Sequence, residues 1–196
     1  MVTGPDSGRL ALLRGPTGTG KTYFLLSLAR EWKKWATFTY IMDPERFFGD
    51  PGYMMEIVLR IQHEDKNWNV LVMEDVDEFI RYSAKADMGQ GVSRLLNLAE
   101  GLIGSGLRTI LFMTTNEKLE NVHPAIVRPG RAFVDVEFGT FTWMHAKKWL
   151  AAHGWKGDLA ELDPKSYSLA ELYRLKAAKP EKAREARPES AAAPEN

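Results

Sequence analysis

No cysteine occurs in the chain, which excludes a disulfide framework and thiolate metal sites and fits a reducing, cytoplasmic compartment. No segment approaches the roughly 20 uninterrupted apolar residues that span a bilayer. The opening MVTGPDSGRL lacks the basic start and apolar stretch of a signal peptide. An excess of charge of one sign is also missing. Lys plus Arg number 26 and Asp plus Glu 26 among 196 residues, so net charge makes no case for a nucleic-acid or membrane partner. The four histidines are scattered without metal-ligand spacing. From Lys179 onward, KPEKAREARPESAAAPEN has neither aromatics nor large aliphatics. Such a segment cannot offset its ordering entropy, and residues 179–196 read as a disordered tail.

What is present is enough apolar residue for one main core, 44% of the chain. Apolar runs at Leu10–Leu13, Phe38–Met42, Val70–Met73, Ile110–Met113 and Phe133–Phe138 alternate with segments of helical period. That is the pattern of an α/β fold, a three-layer αβα parallel sheet covered on both faces. Helices are expected from Lys21 to about Trp35, Tyr53 to about His63 and Val92 to Ile103. After Gly139 two helical stretches, Trp143–His153 and Leu169–Ala178, read as a small lid. The expected domains are therefore a core over 1–139, a lid over 140–178 and the tail.

Gly15-Pro16-Thr17-Gly18-Thr19-Gly20-Lys21-Thr22 matches G-x-x-x-x-G-K-[ST] between an expected strand and an expected helix. Glycines suit a loop whose backbone N–H groups must turn inward around phosphates, where a Cβ would obstruct. The helix adds its positive amino end. Lys21 would reach the β- and γ-phosphates and the Thr22 hydroxyl would ligate Mg2+. A second signal is Val70-Leu71-Val72-Met73-Glu74-Asp75, a buried strand ending in two carboxylates. Carboxyl ends of strands face the ligand crevice in open α/β sheets. One acid can hold the magnesium shell while the next orients or deprotonates water. Without the phosphate loop, two solvated acids would be the plainer reading.

With TILFMTTN and HPAIVRPGR following in order, the chain resembles the AAA family of P-loop ATPases over roughly Leu10 to Phe138. Within that family it is similar to the Bcs-type branch through the order Glu74-Asp75, the phrase MTTN and RLLNLAEGL at Arg94–Leu102. The resemblance implies ATP and Mg2+ as ligands, with Glu74 in the magnesium shell and Asp75 on the catalytic water. Most members have Asp before Glu, and Glu is a methylene longer, so the two could exchange roles by reach. It also implies that Asn116 is the polar sensor near the γ-phosphate, and that Arg128 and Arg131 are arginine fingers reaching the adjacent subunit's site in a hexameric or heptameric ring. Where the family usually has Asp before Pro-Ala, this chain has His123.

Asp43 to Asp50 occupies the place where threading members carry an aromatic-plus-glycine pore loop, although packing of Phe47 and Phe48 within their own subunit is the favoured reading. Few residues precede the first strand, whereas family members carry an adenine-walling segment and a substrate-recognition domain there. An adaptor or an N-terminal domain on another chain is the corresponding expectation. The function implied is ATP-driven remodelling or translocation of a protein client. A nucleic-acid-associated loader or initiator, a P-loop kinase and a non-hydrolysing nucleotide-binding module are the rivals, and the RPGR segment argues against the kinase.

Overall fold

Apolar runs along the first part of the chain become neighbouring strands of one parallel sheet. The computed structural model describes residues 9–62, 68–81, 86–100, 108–127 and 132–178. Its strands are β1 (Leu10–Arg14), β2 (Ala36–Tyr40), β3 (Trp68–Met73), β4 (Thr109–Thr115) and β5 (Ala132–Glu137). They lie in the order β2-β3-β4-β1-β5, every neighbouring pair parallel. The runs are continuous rather than alternating because both faces of the sheet are covered. Successive residues serve opposite cores: Leu10, Leu12, Leu71 and Met73 belong to one apolar cluster, and Ala11, Leu13, Val70 and Val72 to the other.

The helices of this unit are α1 (Lys21–Trp32), α2 (Pro44–Gly49), α3 (Pro51–Gln62), α4 (Asp77–Ile80), α5 (Ala86–Glu100) and α6 (Pro124–Val127). Leu25, Leu28 and Trp32 of α1 cover one face, while side chains of α2, α3 and α5 cover the other.

Two differences from the sequence-based elements have physical causes. Strand β2 stops at Tyr40. Ile41 still donates to the Val72 carbonyl at 2.9 Å, but Met42 is 84% exposed, and Asp43 then accepts from Arg46 N at 2.9 Å as the N-cap of α2. With Pro44 in its first turn, this six-residue helix has cap chemistry that favours it. It buries Phe47 and Phe48 completely, so neither ring lines a pore, and the packing reading of these residues is the correct one. Helix α5 starts at Ala86 rather than Val92. Its first residues, Ala86-Asp87-Met88-Gly89-Gln90-Gly91, carry no apolar period to read. At Gly91 the helix presses so closely on α2 that an added Cβ would stand 2.2 Å from the Phe48 carbonyl oxygen.

The chain divides into two compact units between Thr140 and Phe141. The second contains α7 (Trp143–Ala152) and α8 (Leu169–Ala177) around its own small core of Ala146, Leu150, Leu162, Tyr167 and Leu172. An isolated antiparallel bridge joins Phe141 to Tyr167. The half-buried indoles donate N–H to carbonyl partners, Trp143 to Leu162 at 2.9 Å and Trp155 to Leu175 at 3.1 Å. The expected tail, 179–196, lies outside the described residues. No helix among the described residues is long and apolar enough to cross a membrane.

Candidate functional site

Strands β3, β4 and β1 are adjacent in the sheet, so the segments leaving their carboxyl ends meet. From β1 comes the loop Gly15 to Gly20. Gly15, Gly18 and Gly20 all have positive φ, 141°, 78° and 106°, a region that side chains other than glycine's rarely adopt. At Gly15 a Cβ would also lie 2.0 Å from the Phe138 carbonyl oxygen. The loop braces itself through Thr19 Oγ1, which donates to Pro16 O at 2.8 Å. Gly15 N donates to Thr115 O at 3.0 Å. Helix α1 has Gly20 as its N-cap residue, with no side-chain cap and no acidic residue in its first turn, which leaves its amino end open to an anion.

Lys21 is buried, 6% exposed, and its Nζ donates to Gly15 O at 2.5 Å, Pro16 O at 3.1 Å and Asn116 Oδ1 at 2.9 Å. Burial pushes its pKa down, against the opposing pull of Asp75, Asp77 and Glu74. Thr22 Oγ1 donates to Glu74 Oε1 at 2.5 Å. Hydroxyl and carboxylate oxygens are the hard donors that Mg2+ takes, and this cation commonly keeps waters and substrate phosphates rather than a protein cage. Among the described residues no cluster of three or more His, Cys, Asp or Glu is placed to hold a metal.

Beyond β3 the backbone turns sharply. Asp75 has φ 52°, a left-handed conformation that Asp tolerates better than most residues. It is held by its own N–H donating to Thr114 Oγ1 at 3.0 Å. Val76 N donates to Thr114 O at 3.1 Å. From β4 comes Asn116, one residue past the strand, whose Nδ2 donates to Asp75 Oδ1 at 3.4 Å and Asp77 Oδ2 at 3.1 Å. Thr17 Oγ1 adds a contact to Asn116 Oδ1 at 3.3 Å. Gly15, Lys21, Thr22, Glu74, Asp75 and Asn116 are thus brought together. Arg128 and Arg131 lie outside the described residues. His123 precedes α6 and donates its backbone N–H to Ile80 O at 2.7 Å.

Three neighbours escaped sequence reasoning. Thr114 is 1% exposed and anchors Asp75, which explains a hydroxyl residue near the end of an apolar strand. Asp77 accepts from Thr115 Oγ1 at 2.5 Å and Asn116 N at 2.8 Å as well as from the Asn116 amide. Burial opposes its ionised form, yet these bonds and the Arg81 charge together hold its pKa below the ordinary value. Tyr40 ends β2; burial first, then the charges of Glu74 and Asp75 and a hydrogen bond to Glu74, push its phenol up. Asp77 stood in plain view in the run LVMEDVDEF, but only the fold shows that it turns back on β4.

A glycine loop opening onto a helix amino end at the carboxyl edge of a parallel sheet places the chain among the P-loop nucleotide-binding proteins. The finer placement follows from comparison with known proteins. Residues 11–140 match the model of the ATPase family associated with various cellular activities (AAA), and the chain belongs to that family. It is 31% identical over 144 residues to a 26S proteasome regulatory subunit 6B homolog of Encephalitozoon cuniculi, covering 69% of this chain and 36% of that protein. It is 32% identical over 178 residues to a probable mitochondrial chaperone bcs1 of Schizosaccharomyces pombe, covering 84% and 37%. The chain therefore spans about a third of the length of these relatives. A chain in the structure of an E. coli MS115-1 HORMA:CdnC:Trip13 complex shares the fold, with TM-score 0.66 at 17% identity over 86% of this chain and 66% of that one.

Proposed function

We propose that the chain binds Mg-ATP in the loop Gly15–Thr22 and hydrolyses it as one subunit of a hexameric or heptameric ring, using the energy to remodel or translocate a protein client. The observation that carries this reading is the hydrogen-bonded line Lys21–Asn116–Asp75, which joins the phosphate loop, the end of β4 and the end of β3. Lys21 and the open amino end of α1 hold the phosphates. Thr22 and Glu74, already in contact, would hold the magnesium, which would supply positive charge against the charge developing on the phosphates. Asp75, on the far side of Asn116 from the lysine, orients or deprotonates the attacking water, and Asn116 positions it.

A site shared between subunits belongs to this reading through the family resemblance of the RPGR segment. Ala132, the residue after the RPGR segment, pairs with Leu10 at the start of β1, whereas the phosphate loop begins after Arg14. Four residues of strand, about 13 Å, separate those levels. In this reading Arg128 and Arg131, which precede Ala132 in the sequence, act on a neighbour's ATP rather than on their own chain's. A protein client is supported by relatives named as proteasome regulatory subunits and as a mitochondrial chaperone. An adaptor or further domain to select that client and a cytoplasmic location belong to the same reading.

The test is a pair of substitutions at the acids. Asp75→Asn should leave Mg-ATP bound while slowing turnover by at least about a hundredfold, the size of a general-base effect. Glu74→Gln should raise the magnesium concentration needed for half-maximal binding. Normal turnover in Asp75→Asn together with trapped ATP in Glu74→Gln would show the roles exchanged, and normal turnover in both would refute hydrolysis at this site.

A further inference from the structure

Asp77 opens α4, yet its carboxylate faces back to the end of β4. Oδ1 accepts from Thr115 Oγ1 at 2.5 Å and from Asn116 N at 2.8 Å, and Oδ2 accepts from Asn116 Nδ2 at 3.1 Å. The last contact decides which way the Asn116 amide lies. A side-chain amide has a donor end and an acceptor end, and an ionised carboxylate only accepts. Nδ2 must therefore face the two carboxylates, Asp77 and Asp75, and Oδ1 must face the other way. There it accepts from Lys21 Nζ at 2.9 Å and Thr17 Oγ1 at 3.3 Å. The reversed amide would set oxygen against oxygen at Asp77 and N–H against ammonium at Lys21, unpairing both sides at once.

We infer that Asp77 is a positioning residue for hydrolysis, fixing the orientation of the Asn116 amide so that its acceptor faces Lys21 and the phosphate loop and its donor faces Asp75. The inference rests on the proposed water-positioning role of Asn116. Two further contacts make the arrangement a frame rather than a single bond. Arg81, one turn beyond Asp77, pairs with Glu117, the residue after Asn116, at 2.6 Å. Glu117 N donates to Thr115 Oγ1 at 3.0 Å, so the hydroxyl that donates to Asp77 also ties down the next peptide. The bonds that Asp77 accepts keep it ionised, which preserves its acceptor-only character.

Asp77→Asn tests this because it keeps size and shape but supplies an N–H where Asn116 needs an acceptor. Turnover should fall by about a hundredfold, the scale of a misplaced reacting group, while Mg-ATP affinity changes by less than about threefold, since uniform binding is untouched. Asn116→Ala should show the same split. The double variant should be no slower than Asn116→Ala alone, as expected of residues acting as one unit. In nucleotide-free protein, the side-chain NH2 resonances of Asn116 should shift and exchange faster with solvent in Asp77→Asn. If that variant does not fold, Asp77→Glu carries the same test, keeping the charge but moving the acceptors by a methylene. Slow Asn116→Ala with wild-type turnover at position 77, or losses that multiply in the double variant, would overturn the inference alone. Wild-type turnover in Asn116→Ala would overturn the water-positioning reading of Asn116 and this inference with it.

Discussion

Lys21 is the residue on which the phosphate loop depends. It already donates to two loop carbonyls and to Asn116, so Lys21→Ala would remove both the cation proposed for the terminal phosphates and a brace across the loop. Tight Mg-ATP binding should be lost, as measured by titration with a fluorescent ATP analogue; unchanged affinity would sink the phosphate-loop assignment. The loop was legible in the sequence because its requirement is local: glycines at three positive-φ positions, then Lys and a hydroxyl at fixed offsets. Asn116 was legible only through its place in a series of motifs. Thr114 and Asp77 were not, because their partners lie 39 residues away in the chain, Asp75 for the one and Asn116 for the other. No spacing rule within β3 or β4 announces that the ends of those two strands lock together.

Among the elements, α2 shows where propensity is silent and packing decides. Phe47 and Phe48 are fully buried against the sheet, with Phe48 and Phe79 ring centroids 5.2 Å apart. Phe48→Ala should cost about 3–5 kcal/mol of stability, read by denaturant unfolding, whereas a pore-lining ring would leave stability intact. Gly91→Ala should also destabilise, since its Cβ meets backbone rather than a movable side chain. In the second unit, α8 carries a capping box. Ser168 Oγ accepts from Glu171 N at 3.2 Å, and Glu171 accepts from Ser168 N at 2.7 Å. Ser168→Ala should cost about 1 kcal/mol. The Ser168 backbone N–H first, then Lys165 and the Ser168 hydroxyl, hold the Glu171 carboxyl at about 2 against an ordinary 4.5. A depressed pKa contributes stability that is fully present above pH 4.5 and lost as pH falls toward 2. The stability gap between wild type and Glu171→Gln should therefore close over that window in an acid titration. The helix itself was legible over Leu169–Ala178 from its period; the start of α5, with two glycines and no apolar period, was not.

For the whole molecule, the central claim is that each ATP site is completed by a second copy of the chain. Under the proposed function, one chain's phosphate loop and its own RPGR segment would serve different sites. Arg131→Ala should bind Mg-ATP nearly as wild type, because the missing guanidinium acts on a neighbour's transition state, yet turn over about a thousandfold more slowly. Asp75→Asn should also bind and stall. The most direct measurement is ATP turnover in a mixture of these two stalled variants, with co-assembly verified by sedimentation. Activity should reappear in the mixture, since some interfaces then pair an intact Asp75 with an intact Arg131 from the adjacent subunit. A mixture that co-assembles and stays as inactive as its components would contradict a site shared between subunits.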